Sequence, residues 1–278
     1  MIAVALALAL LAGPVAPSPA EESAPVPVVE PVLAARVDEL RHLAAPPPLP
    51  GDRPPRLLLT GDSVSQTLAP ALAAEARRRG AQVTINTRPG CGLLPGLPMT
   101  RDGFIPPWAR GCSNEVPAWR GLLASTPADV VFVLSTWDGS PRAMGESVID
   151  PASLVGHHAT AQMVHSLVDD IAPVGSGRTV VFLAESIPTR GATSGDPSAI
   201  RIAEARHHRA VLRTVARADF ARVRLVDLGQ WLCPTGHPCP EIVEGVQVRG
   251  EDGGHFTPQG AAWIAPRLLD AIGLPAAA

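Results

Sequence analysis

The stretch "LLLTGDSVSQ", Leu57 to Gln66, decides how the chain is read. Three leucines and a threonine make a short apolar run that stops at Gly61, and an acid and a hydroxyl follow at once. From Val64 the sequence "VSQTLAPALAAEARRRG" carries apolar residues at helical spacing and ends at Gly80. A strand therefore runs into a helix, with Asp62 and Ser63 at the junction. The first amides of a helix favour negative charge. A serine placed there can attack a carbonyl carbon while its own amide helps hold the oxyanion. Either residue would also serve as a plain helix cap. The stretch alone leaves both readings open.

The same alternation continues to the C-terminus. "QVTIN" (Gln82 to Asn86), "DVVFVLST" (Asp129 to Thr136), "RTVVFLA" (Arg178 to Ala184) and "RVRLVDL" (Arg222 to Leu228) read as four more strands. The third is apolar throughout, as expected of a strand buried on both faces. Helical patterns separate them: "VPAWRGLLAS", "PASLVGHHATAQMVHSLVDDIA", "PSAIRIAEARHHRAVLRTVARA" and, last, "TPQGAAWIAPRLLDAIG". Five strands alternating with helices predict an α/β sandwich with a mostly parallel sheet. Ligands of such folds sit beyond the C-terminal ends of the strands, so chemistry is sought in the loops after each strand.

Composition sets outer bounds. The chain has 278 residues, 46% of them hydrophobic, enough to bury one large core. Its formal net charge is -3 with no long basic run, which argues against a nucleic-acid partner. The opening "MIAVALALAL LAGPVAPSPA" is apolar over about a dozen residues, short for a membrane span and of signal-peptide length. No cation precedes Arg36. Residues 1–20 are accordingly expected to be a signal peptide or membrane anchor, 21–55 a Pro/Ala-rich linker with one short helix (Val32 to Ala44), and 56–278 the folded domain. The expected location is extracytoplasmic, secreted or anchored to the cell membrane. Four cysteines in an exported chain suggest two disulfides. Of three possible connectivities, Cys91–Cys112 with Cys233–Cys239 is expected, because each closes a loop between regular elements.

A nucleophilic serine needs a base, and the base an orienting acid. "EDGGHFTPQGAAW" supplies both just before the last helix. On a tight turn Asp252 can reach the Nδ1 of His255 and leave Nε2 facing outward. This turn falls at the same sheet edge as Ser63. No metal or organic cofactor is called for. His157, His158, His165, His207 and His208 lie on helices without carboxylates at metal spacing, and read as surface or packing residues.

Gly61-Asp62-Ser63 near the start and Asp252-x-x-His255 near the end resemble the first and last sequence blocks of the SGNH (GDSL-type) hydrolases. The resemblance runs from about Arg56 to the end. It implies a flavodoxin-like three-layer α/β/α sandwich and Ser–His–Asp chemistry on esters. Carried over, Ser63 is the nucleophile, His255 the base and Asp252 its orienting acid. The second block matches "RPGCG", so the Gly90 amide joins that of Ser63 in the oxyanion hole, with Gly92 as the alternative. The third block normally reads Gly-x-Asn-Asp; here "STWDG" keeps the acid as Asp138 but has Trp137 where the Asn belongs. Trp137 and Asp138 are the candidate acceptor-binding residues. The cysteines, Trp119 and Trp137 further resemble SGNH domains attached to membrane acyltransferases of bacterial cell envelopes.

The expected function is thus an exported serine esterase or O-acyltransferase that moves or removes acyl groups, acetyl foremost, on a cell-envelope polysaccharide. Its partners would be that carbohydrate or an acyl ester, together with a membrane acyltransferase domain or neighbour. Two alternatives are a free-standing secreted lipase or small-ester hydrolase, and a non-catalytic glycan-binding domain on the same fold. Arg88 and the loop "ESIPTRG" (Glu185 to Gly191) border the same edge without an assigned role.

Overall fold

The computed structural model describes residues 49–274 and 276, apart from 186, 188–197 and 238. The expectations for 1–48, and most of the Glu185 to Gly191 loop, lie outside the described residues. Five strands form the central sheet: β1 (Arg56–Gly61), β2 (Gln82–Thr87), β3 (Val130–Leu134), β4 (Thr179–Ala184) and β5 (Val223–Asp227). All neighbours are parallel, in the order β2-β1-β3-β4-β5. The long helices are α1 (Ser63–Arg78), α2 (Ala109–Ser125), α3 (Leu154–Ile171), α4 (Ser198–Ala218) and α5 (Pro258–Ala271), and a single short turn of helix spans Gly229–Leu232.

The unbroken apolar runs are explained by burial on both faces. Leu57, Leu59, Phe132 and Leu134 point to one side, where Leu68 and Leu72 of α1 meet Ile264 and Leu268 of α5. Leu58, Val131 and Val133 point to the other, against Leu123 of α2, Val164 and Leu167 of α3, and Val211 and Val215 of α4. Alternate residues of one strand serve opposite layers, as a pleat of period two requires. The result is the three-layer α/β/α sandwich, with a fully parallel central sheet.

Two features depart from the sequence reading. The helix expected to begin near Val116 begins at Ala109. Pro117 invites a start there, because proline is favoured in a first helical turn, but the helix runs through it and so carries Cys112 as well as Trp119. The Trp119 indole donates to Asn86 Oδ1 (3.2 Å), tying α2 to β2. Short antiparallel pieces also occur: Leu97–Pro98 with Arg142–Met144 and Ser147–Ile149, and the hairpin Ile242–Val243 with Val246–Gln247. Among the described residues, no helix is long and apolar enough to cross a membrane.

Asp129 fastens the start of β3 to the start of β1. It accepts from the Arg56 amide (2.8 Å) and from both terminal nitrogens of Arg53 (2.8 and 2.6 Å). The Arg53 hydrogen bonds, opposed by burial and aided by Arg56, hold its carboxyl at about 2. A carboxylate depressed in the fold contributes stability above its unfolded value, and that contribution is lost as pH falls through the folded value. Urea melts should therefore show Asp129→Asn less stable than the wild type by about 1–2 kcal/mol at neutral pH. The difference should shrink between about pH 4 and pH 2.

Candidate active site

The sheet order reverses direction at β1, whose neighbours are β2 on one side and β3 on the other. This is the switch point at which open α/β sheets bind ligands. Ser63 follows β1 there. Asp62 caps α1, with its Oδ1 accepting from the Val64 amide (2.9 Å). The Ser63 hydroxyl is left out of the cap and meets His255 Nε2 at 2.8 Å.

Asp62 does more than cap. It is fully buried, and its Oδ2 accepts from the Thr136 amide (2.6 Å), the Thr136 hydroxyl (2.7 Å) and the Trp137 amide (3.1 Å). Burial pushes its carboxyl up, against the pull of these hydrogen bonds. The residue links the end of β1 to the loop after β3.

On the far side of His255, Nδ1 is hydrogen-bonded to Asp252 Oδ2. Asp252 Oδ1 accepts from the amides of Gly254 and His255, both at 3.0 Å. Burial would raise this carboxyl, but the His255 ring and the two amides outweigh it and hold it below the usual carboxylate range. An ionised Asp252 accepting from Nδ1–H leaves Nε2 as an acceptor toward Ser63. The structure thus brings together all three residues singled out in the sequence.

The loop after β2 lies beside Ser63. The Arg88 amide donates to the Gly61 carbonyl (2.7 Å), and the Cys91 amide to the Arg88 carbonyl (3.2 Å), in a tight turn through Gly90. Gly90 has φ +78°, and a Cβ there would come 3.0 Å from the Trp108 ring. Among the described residues, neither the Ser63 amide nor the Gly90 amide donates a hydrogen bond to the rest of the protein. Gly92 has a packing reason instead: a Cβ would lie 2.0 Å from Asp138 Oδ1. Cys91 is joined to Cys112 of α2, with Cα atoms 5.5 Å apart, and this bond anchors the loop. Cys233 is joined to Cys239. Among the described residues, the one group at metal-ligand spacing is Cys233, His237 and Cys239, whose sulfurs are used in that disulfide and offer no thiolate.

Asp138 is not a surface residue that a substrate can reach. It is 4% exposed; one oxygen accepts from the Leu93 amide (3.0 Å), the other from the Leu94 amide (3.0 Å) and Arg142 Nη2 (2.6 Å). Arg142, equally buried, also donates to the carbonyls of Leu94 and Trp137. The pair staples the loop after β2 to the loop after β3, and both oxygens of Asp138, expected at the acceptor site, are engaged in these bonds. The reason lies in Gly92: lacking a side chain, it lets the carboxylate come down onto the loop amides. His208 of α4 packs over Gly139 beside this pair, and its burial holds its pKa at about 4.

Trp137 keeps a partly exposed ring, set edge to face against Trp108 with centroids 4.8 Å apart. Trp108 is 45% exposed and covers Gly90. Neither Trp108 nor Arg142 was legible as a site residue. Trp108 sits in a Pro-rich loop with no motif around it, and the partners of Arg142 become neighbours only after folding.

Sheet order and helix layers are those of the SGNH, or GDSL-type, hydrolase fold. A family model described as "SGNH domain (fused to AT3 domains)" matches residues 35–270, and the chain belongs to that family. No curated protein sequence matches the chain. Among solved structures, the chain is similar to a GDSL-like lipase from Parabacteroides merdae (11% identity, 82% of this chain and 100% of that one, TM-score 0.51). It is also similar to the periplasmic domain of a lipopolysaccharide acetyltransferase from Salmonella ser. Paratyphi A (12%, 89% and 97%, TM-score 0.48). A third similar structure is the C-terminal catalytic domain of peptidoglycan O-acetyltransferase A from Streptococcus pneumoniae (15%, 80% and 94%, TM-score 0.40).

Proposed function

We propose that the protein is an extracytoplasmic serine O-acyltransferase or esterase that moves or removes acyl groups, acetyl foremost, on a cell-envelope polysaccharide. The observation that carries the reading is the Ser63 Oγ to His255 Nε2 contact of 2.8 Å, backed by Asp252 on Nδ1. Family membership alongside membrane acyltransferase domains supports the acyl-transfer arm and a membrane acyltransferase partner. Two disulfides support an oxidising compartment.

In this mechanism Ser63 Oγ attacks the acyl carbonyl carbon as His255 Nε2 takes the hydroxyl proton. The carbonyl oxygen becomes an oxyanion held by the amides of Ser63 and Gly90. Collapse expels the donor alcohol, which leaves with the proton from His255, and an acyl-Ser63 ester remains. A sugar hydroxyl, or water, then attacks the acyl carbon as His255 takes its proton, and the ester bond to Ser63 breaks as His255 returns that proton to Ser63 Oγ. Asp252 fixes the tautomer and steadies the imidazolium throughout. With Trp137 at the usual Asn position, its amide turned to Asp62, the oxyanion rests on backbone donors. Incubation with an aryl acetate and candidate glycans, with mass analysis of products, tests the assignment. Acetylated glycan indicates transfer, free acetate alone indicates hydrolysis, and neither product contradicts the reading.

Trp108 and Trp137 form the acceptor ledge, since indole faces stack on the apolar faces of sugar rings. Trp108→Ala is expected to raise KM for the glycan by about 3- to 10-fold. Turnover of a small aryl ester should stay within about twofold, because that substrate does not reach the ledge. Steady-state kinetics with the two substrates check the split.

A further inference from the structure

Arg249 is 1% exposed and Glu185 6%, and they pair at 2.7 Å between Nη2 and Oε1. Glu185 directly follows β4, while Arg249 opens the turn that carries Asp252 and His255. The guanidinium holds both chain neighbours of His255. Its Nη1 donates to the Gly254 carbonyl (2.8 Å), and its Cζ lies 3.9 Å from the centroid of the Phe256 ring. Backbone pairing closes the same turn: Arg249 bridges Phe256, and the Gly250 amide donates to the His255 carbonyl (2.9 Å). The Phe256 amide donates to the hydroxyl of Thr67, one turn along α1 from Ser63 (3.1 Å).

Burying two charges is expensive, and well-packed apolar residues of similar size commonly serve stability as well or better. What a guanidinium adds is geometry. Its planar fork makes directed bonds on one edge while its face stacks on a ring. Here the edge and the face act on the two residues that flank the base. We infer that Arg249, anchored by Glu185, is a positioning residue that sets His255 against Ser63. The inference rests on reading His255 as the base. Arg249 touches no reacting atom.

The test uses the full chain with p-nitrophenyl acetate. Arg249→Lys keeps the charge opposite Glu185 but cannot both donate along one edge and lie flat on Phe256. It should fold, with kcat lower by about 10- to 100-fold and KM within about twofold, because small misplacements of a base cost turnover rather than binding. The double variant Arg249→Met with Glu185→Leu leaves no unpaired buried charge and should show the same kcat loss in a folded protein. Wild-type kcat in either variant overturns the inference. So does failure of the double variant to fold, since the pair would then be holding up the structure rather than aiming the base. Ser63→Ala and His255→Ala assayed in parallel separate the two levels. If they keep activity, the base reading itself fails. If they lose it while Arg249→Lys does not, only the positioning role fails.

Discussion

Ser63→Ala is expected to lower kcat on an aryl acetate by at least about a thousand-fold while leaving the protein folded. The two halves of that result have separate causes. Capping of α1 is done by Asp62, whose carboxylate takes the Val64 amide, so the Ser63 hydroxyl has no part in starting the helix. Its contact is with His255 Nε2. On the proposed mechanism, removing the oxygen takes away the nucleophile; stability should shift by no more than about 0.5 kcal/mol, as for other substitutions that touch no structural feature. His255→Ala should cost a similar factor, and the double variant little more than either, because groups that act as one unit are not additive. Asp252→Asn should fall by about a hundred- to ten-thousand-fold, since the amide can present its NH₂ to Nδ1 and favour the wrong tautomer. Thermal melts alongside turnover on the same preparations check both halves.

Gly61→Ala should have the largest effect on stability, for a reason that couples fold to site. Gly61 has φ +136°, a conformation that residues with a side chain rarely adopt. An added Cβ would lie 1.8 Å from the Leu134 carbonyl oxygen of the neighbouring strand. That oxygen also accepts the Asp62 amide at 3.3 Å, so it cannot withdraw without releasing the junction that carries Ser63. The strands β1 and β3 would have to separate at their C-terminal ends. A loss of about 4 kcal/mol or more is expected, a large share of the roughly 5–15 kcal/mol that holds an ordinary domain folded. Denaturant melts measure it, and an alanine variant of wild-type stability would show that the close approach is not required.

The fold, and the Ser63, Asp252 and His255 that it brings together, were legible because their signals are local. Leu57–Leu59 and Val130–Leu134 are apolar without a break since each strand feeds both layers. Gly61 is compelled by its own backbone. Asp252 and His255 meet within one turn, so their spacing already implied their contact. Legibility ended where partners are remote in sequence. Asp138 was visible as an acid at the C-terminal edge of the sheet, but its engagement with Leu93, Leu94 and Arg142 depends on the loop after β2 folding down at Gly92. Nothing local marks Glu185 and Arg249 as partners, or Trp108 as the cover of Gly90. Strands of two or three residues, such as Leu97–Pro98, are too short to show a period.

The most direct measurement is reaction of the oxidised protein with a fluorophosphonate, followed by peptide mass mapping. An activated Ser63, deprotonated by His255, should carry the adduct in the wild type and lose it in His255→Ala. A folded protein that takes up no label, or takes it up at another residue while Ser63 stays free, would contradict the catalytic reading and reduce the Ser63–His255 contact to a structural hydrogen bond.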